Sequence, residues 1–203
     1  MDALTVTRTH LSDNSWVIHR RQWLPDADST IAALTSELVW RQEHLNMFGR
    51  SVPQPRLTAV CGVSMDPASR YRKPNPITPW TATAGHVRDL VKNEVVDWEP
   101  NGLIANRYRD GTDSIGWHSD SEPALGPRPL VVSVSLGESR VLLLRRGDGG
   151  QRRAFELVHG DLFVMGGATQ EEFVHSISKV GRPVGERISL TFRAYQNGQV
   201  EGC

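Results

Sequence analysis

Cysteine is almost missing from this sequence: among 203 residues only Cys61 and Cys203 carry a thiol. Two thiols so far apart supply neither a disulfide framework nor a thiolate-rich metal site, so any metal must be held by histidine and carboxylate. Long apolar runs are missing too. No stretch approaches the ~18 consecutive apolar residues of a membrane-spanning helix, and the first twenty residues, MDALTVTRTHLSDNSWVIHR, lack the apolar centre of a secretion signal. An intracellular protein is therefore expected, cytoplasmic or, in a eukaryote, nuclear, with no membrane partner and working as a monomer. Net charge is also absent, 23 Lys and Arg balancing 23 Asp and Glu, so bulk electrostatics announce no polyanionic partner. No internal repeat, low-complexity tract or long linker divides the chain. One domain over residues 1–203 is the expectation.

What is present is an ordinary globular composition, 38% hydrophobic with six tryptophans. Charge is uneven locally. Between Arg41 and Lys73, Arg41, Arg50, Arg56, Arg70, Arg72 and Lys73 stand against Glu43 and Asp66. This segment could face phosphate, although on charge alone a solvated loop is the plainer reading.

Helical spacing predicts one helix from Asp26 or Asp28 through Ile31, Leu34, Leu38 and Val39. A second follows Pro79, with Val87, Leu90, Val91, Val95 and Trp98 on one stripe. Both read as packing helices. Between Asn46 and Thr78, Pro53, Pro55, Pro67, Pro74 and Pro76 predict a long ordered loop or short edge strands. From Gly102 the period changes to two. Strands are predicted over 103–108, 115–118, 130–136, 141–145, 155–158, 162–165, 174–178 and 187–195. Helices that precede strands, rather than alternate with them, favour a mainly β sandwich or jelly roll with flanking helices over a doubly wound sheet.

Two segments bear chemistry. In Arg187-Ile188-Ser189-Leu190-Thr191-Phe192-Arg193-Ala194-Tyr195 the odd positions form a polar face carrying two guanidiniums. Their backbones lie ~20 Å apart, and side chains reaching inward by about 6 Å each leave a gap suited to a small dicarboxylate. A solvent-wet face is the commoner fate of an alternating antiparallel strand, so this strand alone decides nothing.

The second segment is Trp117-His118-Ser119-Asp120-Ser121-Glu122, where extended backbone projects His118, Asp120 and Glu122 to one side. An imidazole and a carboxylate two apart, joined by a distant histidine, make the two-histidine, one-carboxylate arrangement that leaves positions open on Fe(II). His-x-Asp is weak by itself, since His159-Gly160-Asp161 repeats it where a turn between apolar strands is the better reading. For the third ligand His175 is best placed, in the alternating Phe173-Val174-His175-Ser176-Ile177. Taken alone it would pass for a core or edge histidine.

In order along the chain stand Asn106-Arg107-Tyr108, His118-Ser119-Asp120-Ser121-Glu122, PLVVSVSLGESRVLLLRR, HGDLFVMGGATQEEFVHSI and ERISLTFRAY. Five separated segments in this order resemble the AlkB family of Fe(II)- and 2-oxoglutarate-dependent nucleic-acid dealkylases, across roughly residues 102–195. The earlier MFGRSVPQPRLTAVCG is similar to the nucleotide-recognition region of its DNA-repair members. The resemblance implies a double-stranded β-helix (jelly-roll) catalytic core over 102–195, with N-terminal helices and nucleotide-recognition loops over 1–101. It also implies the cofactor set Fe(II), 2-oxoglutarate and O2. His118, Asp120 and His175 match the iron ligands. Arg187 and Arg193 match the arginines that hold the two carboxylates of 2-oxoglutarate, and Asn106 and Tyr108 match residues bonded to the same cosubstrate. Ser189 stands where some members carry an asparagine that helps bind the distal carboxylate. The substrate residues implied are Glu122, accepting from an exocyclic amine, with Phe48 filling the gap of a flipped base, Tyr71 stacking on it and Arg56 holding phosphate.

The implied activity is oxidative dealkylation of N-alkylated bases such as 1-methyladenine and 3-methylcytosine, in DNA or RNA, as repair of alkylation damage. Three alternatives compete: a cupin-like metal protein acting on a small molecule without 2-oxoglutarate, a non-catalytic lesion reader on the same scaffold, and a 2-oxoglutarate oxygenase acting on RNA, protein or lipid. The cupin reading leaves the shared polar face of Arg187 and Arg193 without a purpose.

Overall fold

The structure is a computed structural model that describes residues 6–47, 49–62, 78–150 and 152–196. Its frame is a seven-stranded antiparallel sheet, in the order β1 (Val6–His10), β2 (Ser15–Arg20), β11 (Leu162–Gly167), β8 (Val131–Gly137), β13 (Arg187–Arg193), β6 (Gly102–Tyr108) and β5 (Leu57–Gly62). A four-stranded sheet faces it, ordered β10 (Arg152–Leu157), β9 (Arg140–Arg146), β12 (Phe173–Ile177) and β7 (Ile115–His118). A separate hairpin joins β3 (His44–Met47) to β4 (Arg50–Pro53). Two facing antiparallel sheets with long connections form the jelly-roll core of the expected fold class.

Two helices cover the outer side of the larger sheet. The first, α1 (Ala27–Glu37), buries Thr30 and Leu34, and the second, α2 (Ala82–Glu94), buries Ala84, Val87 and Val91. Thr81 caps α2 by accepting the Ala84 amide at 3.2 Å, which satisfies one of the helix's free N–H groups. At α1 Asp26 occupies the cap position, where its carbonyl accepts the Thr30 amide at 3.0 Å but its side chain bonds no helix amide, and Asp28 lies 3.2 Å from His159.

The helix residues pack with Val132, Val134, Leu136, Ile188, Leu190 and Phe192 in one core. A second core fills the space between the sheets, from Val17, Tyr108, Leu144, Phe163, Met165, Phe173 and Ile177 among others. The interior strand β13, fifth of the seven, is therefore covered on both sides. All seven of its residues are buried, which is why its polar face is not the wet surface that alternation alone would allow.

The predicted strands from residue 103 onward all appear, with ends displaced by at most three residues. The expectation that helices precede strands is corrected: β1 and β2 come before α1, and β3, β4 and β5 lie between the helices. Three of these five strands join the larger sheet, β1 and β5 as its two edges. Pro53 ends β4 and Pro55 precedes β5, so neither interrupts β5, in keeping with an edge strand. The stripe assigned to the second helix is shorter than expected. Its helix ends at Glu94, and Val95 and Trp98 pack from the following segment. Among the described residues no helix is long and apolar enough to cross a membrane.

Candidate active site

Cross-strand pairing brings the first two candidate ligands together. His118, the last residue of β7, sits directly opposite His175 on β12, and the pairing slips between this position and the next pair, Ile177 with Ile115. Such a register break re-aims side chains. The two imidazoles face each other with ring centres 4.2 Å apart. Asp120 follows β7 in irregular backbone, and its Oδ2 lies 3.8 Å from His175 Nε2. One donor atom from each of His118, Asp120 and His175 falls within 4.8 Å of the others.

The surroundings leave those donor atoms available. Gly116 O, which can only accept, stands 2.9 Å from His118 Nδ1, so Nδ1 carries the proton and Nε2 keeps its lone pair. Burial, with His118 alongside, pushes His175 down to about 3, so its imidazole is neutral at physiological pH. Burial opposes the charge of Asp120, but the Arg193 guanidinium outweighs it and holds the carboxyl well below the usual carboxylate range. Arg193 Nη2 donates to Asp120 Oδ1 at 2.6 Å. Gln170, from the short helix α3 (Thr169–Glu172), accepts the Asp120 amide at 2.8 Å and fixes the backbone there.

The rest of the polar face of β13 runs away from these three residues. Ser189 is paired in register with Asn106 on one side and Ser135 on the other, and Arg187 with Tyr108 and Gly137. Arg187 is 1% exposed and lies 5.4 Å from the centre of the Tyr108 ring. Its Nη2 donates to Ser135 Oγ at 3.0 Å, while Nε and Nη1 are enclosed without a partner among the described residues. Burial pulls this guanidinium below its ordinary value. A permanently charged fork buried with two unused N–H nitrogens is a site for an anion, and a carboxylate matches it in shape and charge. The residues present thus fit both groups of the expected set: three donors for one metal, and a lone buried cation for a dicarboxylate.

Arg56 is placed differently from expectation. Instead of lying at the surface against phosphate it is 7% exposed, and its Nε donates to Asn106 Oδ1 at 2.8 Å. The adjacent strand β5 carries it into the interior, where it anchors a carboxamide. Glu122 is half-buried beside Asp120, its Oε2 enclosed and unbonded among the described residues. Phe48 and Tyr71 lie outside the described residues. Sequence reasoning missed Ser135, Gln170 and the inward course of Arg56. Ser135 had a signal, since Ser133 and Ser135 alternate with valines on a strand whose other face is apolar. Gln170 had none.

Fold and site together define a 2OG-Fe(II) oxygenase, and the model of the 2OG-Fe(II) oxygenase superfamily matches residues 17–193. Alpha-ketoglutarate-dependent dioxygenase alkB homolog 3 of Mus musculus is 34% identical over 180 residues, which cover 84% of this chain and 62% of that protein. DNA oxidative demethylase ALKBH2 of Arabidopsis thaliana is 30% identical over 217 residues, covering 93% of this chain and 68% of that protein. The solved structure of OsALKBH1 superposes with a TM-score of 0.60 at 17% identity, over 93% of this chain and all of that one, a likeness of fold. The chain belongs to the AlkB family within that superfamily. It spans about six tenths of the length of the mouse relative, 62%.

Proposed function

We propose that this protein removes alkyl groups oxidatively from base nitrogens in nucleic acid, with 1-methyladenine and 3-methylcytosine as substrates, as a repair of alkylation damage. The observation that carries the reading is the buried guanidinium of Arg187, with two nitrogens unbonded, in the same interior as the donors His118, Asp120 and His175. A cupin-like protein without a diacid cosubstrate would have no use for that charge. The nucleic-acid substrate is supported by the relatives, one of which is named a DNA oxidative demethylase.

In this reading His118, Asp120 and His175 hold Fe(II). Arg187 and Arg193 take the two carboxylates of 2-oxoglutarate, with Asn106, Tyr108 and Ser189 lining the same place. When bound, Fe(II) and 2-oxoglutarate would supply oxygen activation, with 2-oxoglutarate and O2 consumed to succinate and carbon dioxide as one oxygen atom enters a C–H bond of the N-alkyl group. The resulting hydroxymethyl group then leaves as formaldehyde and restores the base.

The chain's own residues orient and shield. Tyr108, 2% exposed, has its pKa raised by burial, so its phenol stays protonated and can donate. Ser135 presents the Arg187 fork in one orientation. The Asp120–Arg193 pair keeps a carboxylate charged in a buried place where it would otherwise take up a proton. Exclusion of water by the two cores on either side of β13 strengthens each of these interactions.

The test is direct. The purified protein with Fe(II) and 2-oxoglutarate is expected to convert 1-methyladenine or 3-methylcytosine in an oligonucleotide and to release formaldehyde. Succinate production without repair of either base, single- or double-stranded, would assign the site to another substrate class.

A further inference from the structure

The polar side of β13 does not stop at Arg193. Tyr195 follows two residues on, just past the end of the strand, and is buried like Arg193, whose Nη2 bonds Asp120. Asn101 extends the ladder to it. The Asn101 amide donates to Arg193 O at 3.0 Å, its Nδ2 donates to Tyr195 O at 2.9 Å, and its Oδ1 accepts the Tyr195 amide at 2.7 Å. One residue later the Gln196 amide donates to Ala124 O at 2.7 Å, and the Tyr195 ring packs with Leu125 and Ala124. The ring is thus fixed on both flanks.

The hydroxyl so held bonds to none of the described residues. Tyr195 is 5% exposed, and its Oη is enclosed without a partner among the described residues. Glu122, which begins the turn that Tyr195 packs on, has its Oε2 in the same condition. Glu122 caps the turn whose Ala124 and Leu125 the ring packs on, and Arg193, two residues before Tyr195, bonds Asp120, two residues before Glu122. One atom is a donor and the other only an acceptor. Enclosed polar groups are normally satisfied, and two complementary ones left open about one turn call for a third group that satisfies both.

We propose that Tyr195 is a specificity-determining residue, which with Glu122 selects a base carrying an exocyclic amine on one side of the alkylated nitrogen and a carbonyl on the other. This rests on the reading of the protein as a base dealkylase. The pattern is that of 3-methylcytosine, whose N3 is flanked by the 4-amine and the 2-carbonyl: Glu122 accepts from the amine and Tyr195 donates to the carbonyl. In 1-methyladenine the amine is matched, but the other flank is C2–H, which offers the phenol nothing. A site built to bond a polar group discriminates against the analogue that lacks it.

The experiment uses the full chain with Fe(II), 2-oxoglutarate and O2, and two oligonucleotides of one sequence that differ only in carrying 3-methylcytosine or 1-methyladenine. Tyr195→Phe keeps the ring and its packing, which an unchanged unfolding midpoint verifies. Its kcat/KM is expected to fall about tenfold on 3-methylcytosine, the loss of one hydrogen bond, and by less than about twofold on 1-methyladenine. With Mn(II) in place of Fe(II), fluorescence anisotropy is expected to show weaker binding of the 3-methylcytosine oligonucleotide alone. Glu122→Gln is expected to lower kcat/KM on both bases. Equal losses on the two bases in Tyr195→Phe, or none on either, would overturn the proposal. A wild-type protein that consumes 2-oxoglutarate but dealkylates neither base would overturn the functional reading, and the role of Tyr195 with it.

Discussion

His118-Ser119-Asp120 and His159-Gly160-Asp161 place the same two side chains at the same spacing, yet they settle into opposite surroundings. In the first triplet Asp120 bonds Arg193 through Oδ1 and turns Oδ2 toward His175, while His118 spends only Nδ1 on Gly116 O. In the second, every acceptor is used on the protein itself. His159 Nδ1 accepts the Gly137 amide at 2.7 Å. Asp161 takes His19 Nε2 at 2.7 Å, the Gln22 amide at 2.9 Å and the Val158 amide at 3.0 Å. Gly160 turns the chain between them with φ +82°, a conformation that side chains resist, while its own amide donates to Ser135 O at 2.7 Å. What separates a metal-binding pair from a structural one is therefore whether its lone pairs remain unspent. Among the described residues only the first triplet gathers a third donor.

Removing the charge of each aspartate is the strongest way to break this comparison. Asp120→Asn keeps the shape and a partner for Arg193 but leaves a poor metal ligand. Turnover of 2-oxoglutarate is expected to drop by on the order of a thousandfold or more, with a parallel loss of Fe(II) binding in a chelator competition. Asp161→Asn should leave both measurements within about twofold when expressed per folded molecule. A loss of metal binding there would mean that the two triplets are not distinct in kind.

Stability should respond in the reverse sense. Asp161 is 0% exposed, and Asp161→Ala leaves three donors without their acceptor, at a cost of about 3 kcal/mol in the unfolding free energy. Burial works against the Asp161 charge, but the bonds from His19, Gln22 and Val158 outweigh it and hold the carboxyl below its ordinary value. A depressed folded-state value contributes stability above the unfolded pKa of about 4 and loses it as pH falls through the folded value. Wild type and Asp161→Ala are therefore expected to differ most in urea unfolding near neutral pH and to converge in acid. A gap that stayed constant into acid would mean that the charge of Asp161 contributes nothing.

The same distinction explains what could be seen in the sequence. Period-two alternation from Gly102 onward located eight strands, because burial between two layers enforces it. The candidate triad was legible through residue type and order, since an antiparallel partner strand can bring the distant His175 to His118. Alternation also named the polar face of β13, but not whether it was wet, because that depends on what covers the sheet. Before Gly102 less could be seen: short edge strands were one option between Asn46 and Thr78, where β4 and β5 lie, but β1 and β2 gave no signal. β1 is an edge with four exposed residues of five, and the proline-bounded β5 shows a short apolar run of no clear period. Arg56 was misplaced because local charge counts say nothing about which side of an edge strand a residue takes.

The smallest effect sharpens the comparison from the side of the backbone. Asp161 is held by amides that bond its carboxylate, whereas Asp120 is held by its own amide, given to the buried Gln170 Oε1 at 2.8 Å, so no amide occupies its carboxylate and Oδ2 stays open. Gln170 Nε2 in turn reaches Met165 Sδ at 3.4 Å, which ties the carboxamide to the core between the sheets. In Gln170→Leu the Asp120 amide loses its acceptor while the side-chain volume is kept. Such indirect support for a metal ligand is typically worth tenfold or somewhat more in metal affinity. Fe(II) affinity is expected to fall about tenfold by chelator competition, with the metal-free unfolding free energy lowered by only about 1 kcal/mol. If the stability loss came without a loss of affinity, Gln170 would be a packing residue, and the availability of Asp120 would rest on Arg193 alone.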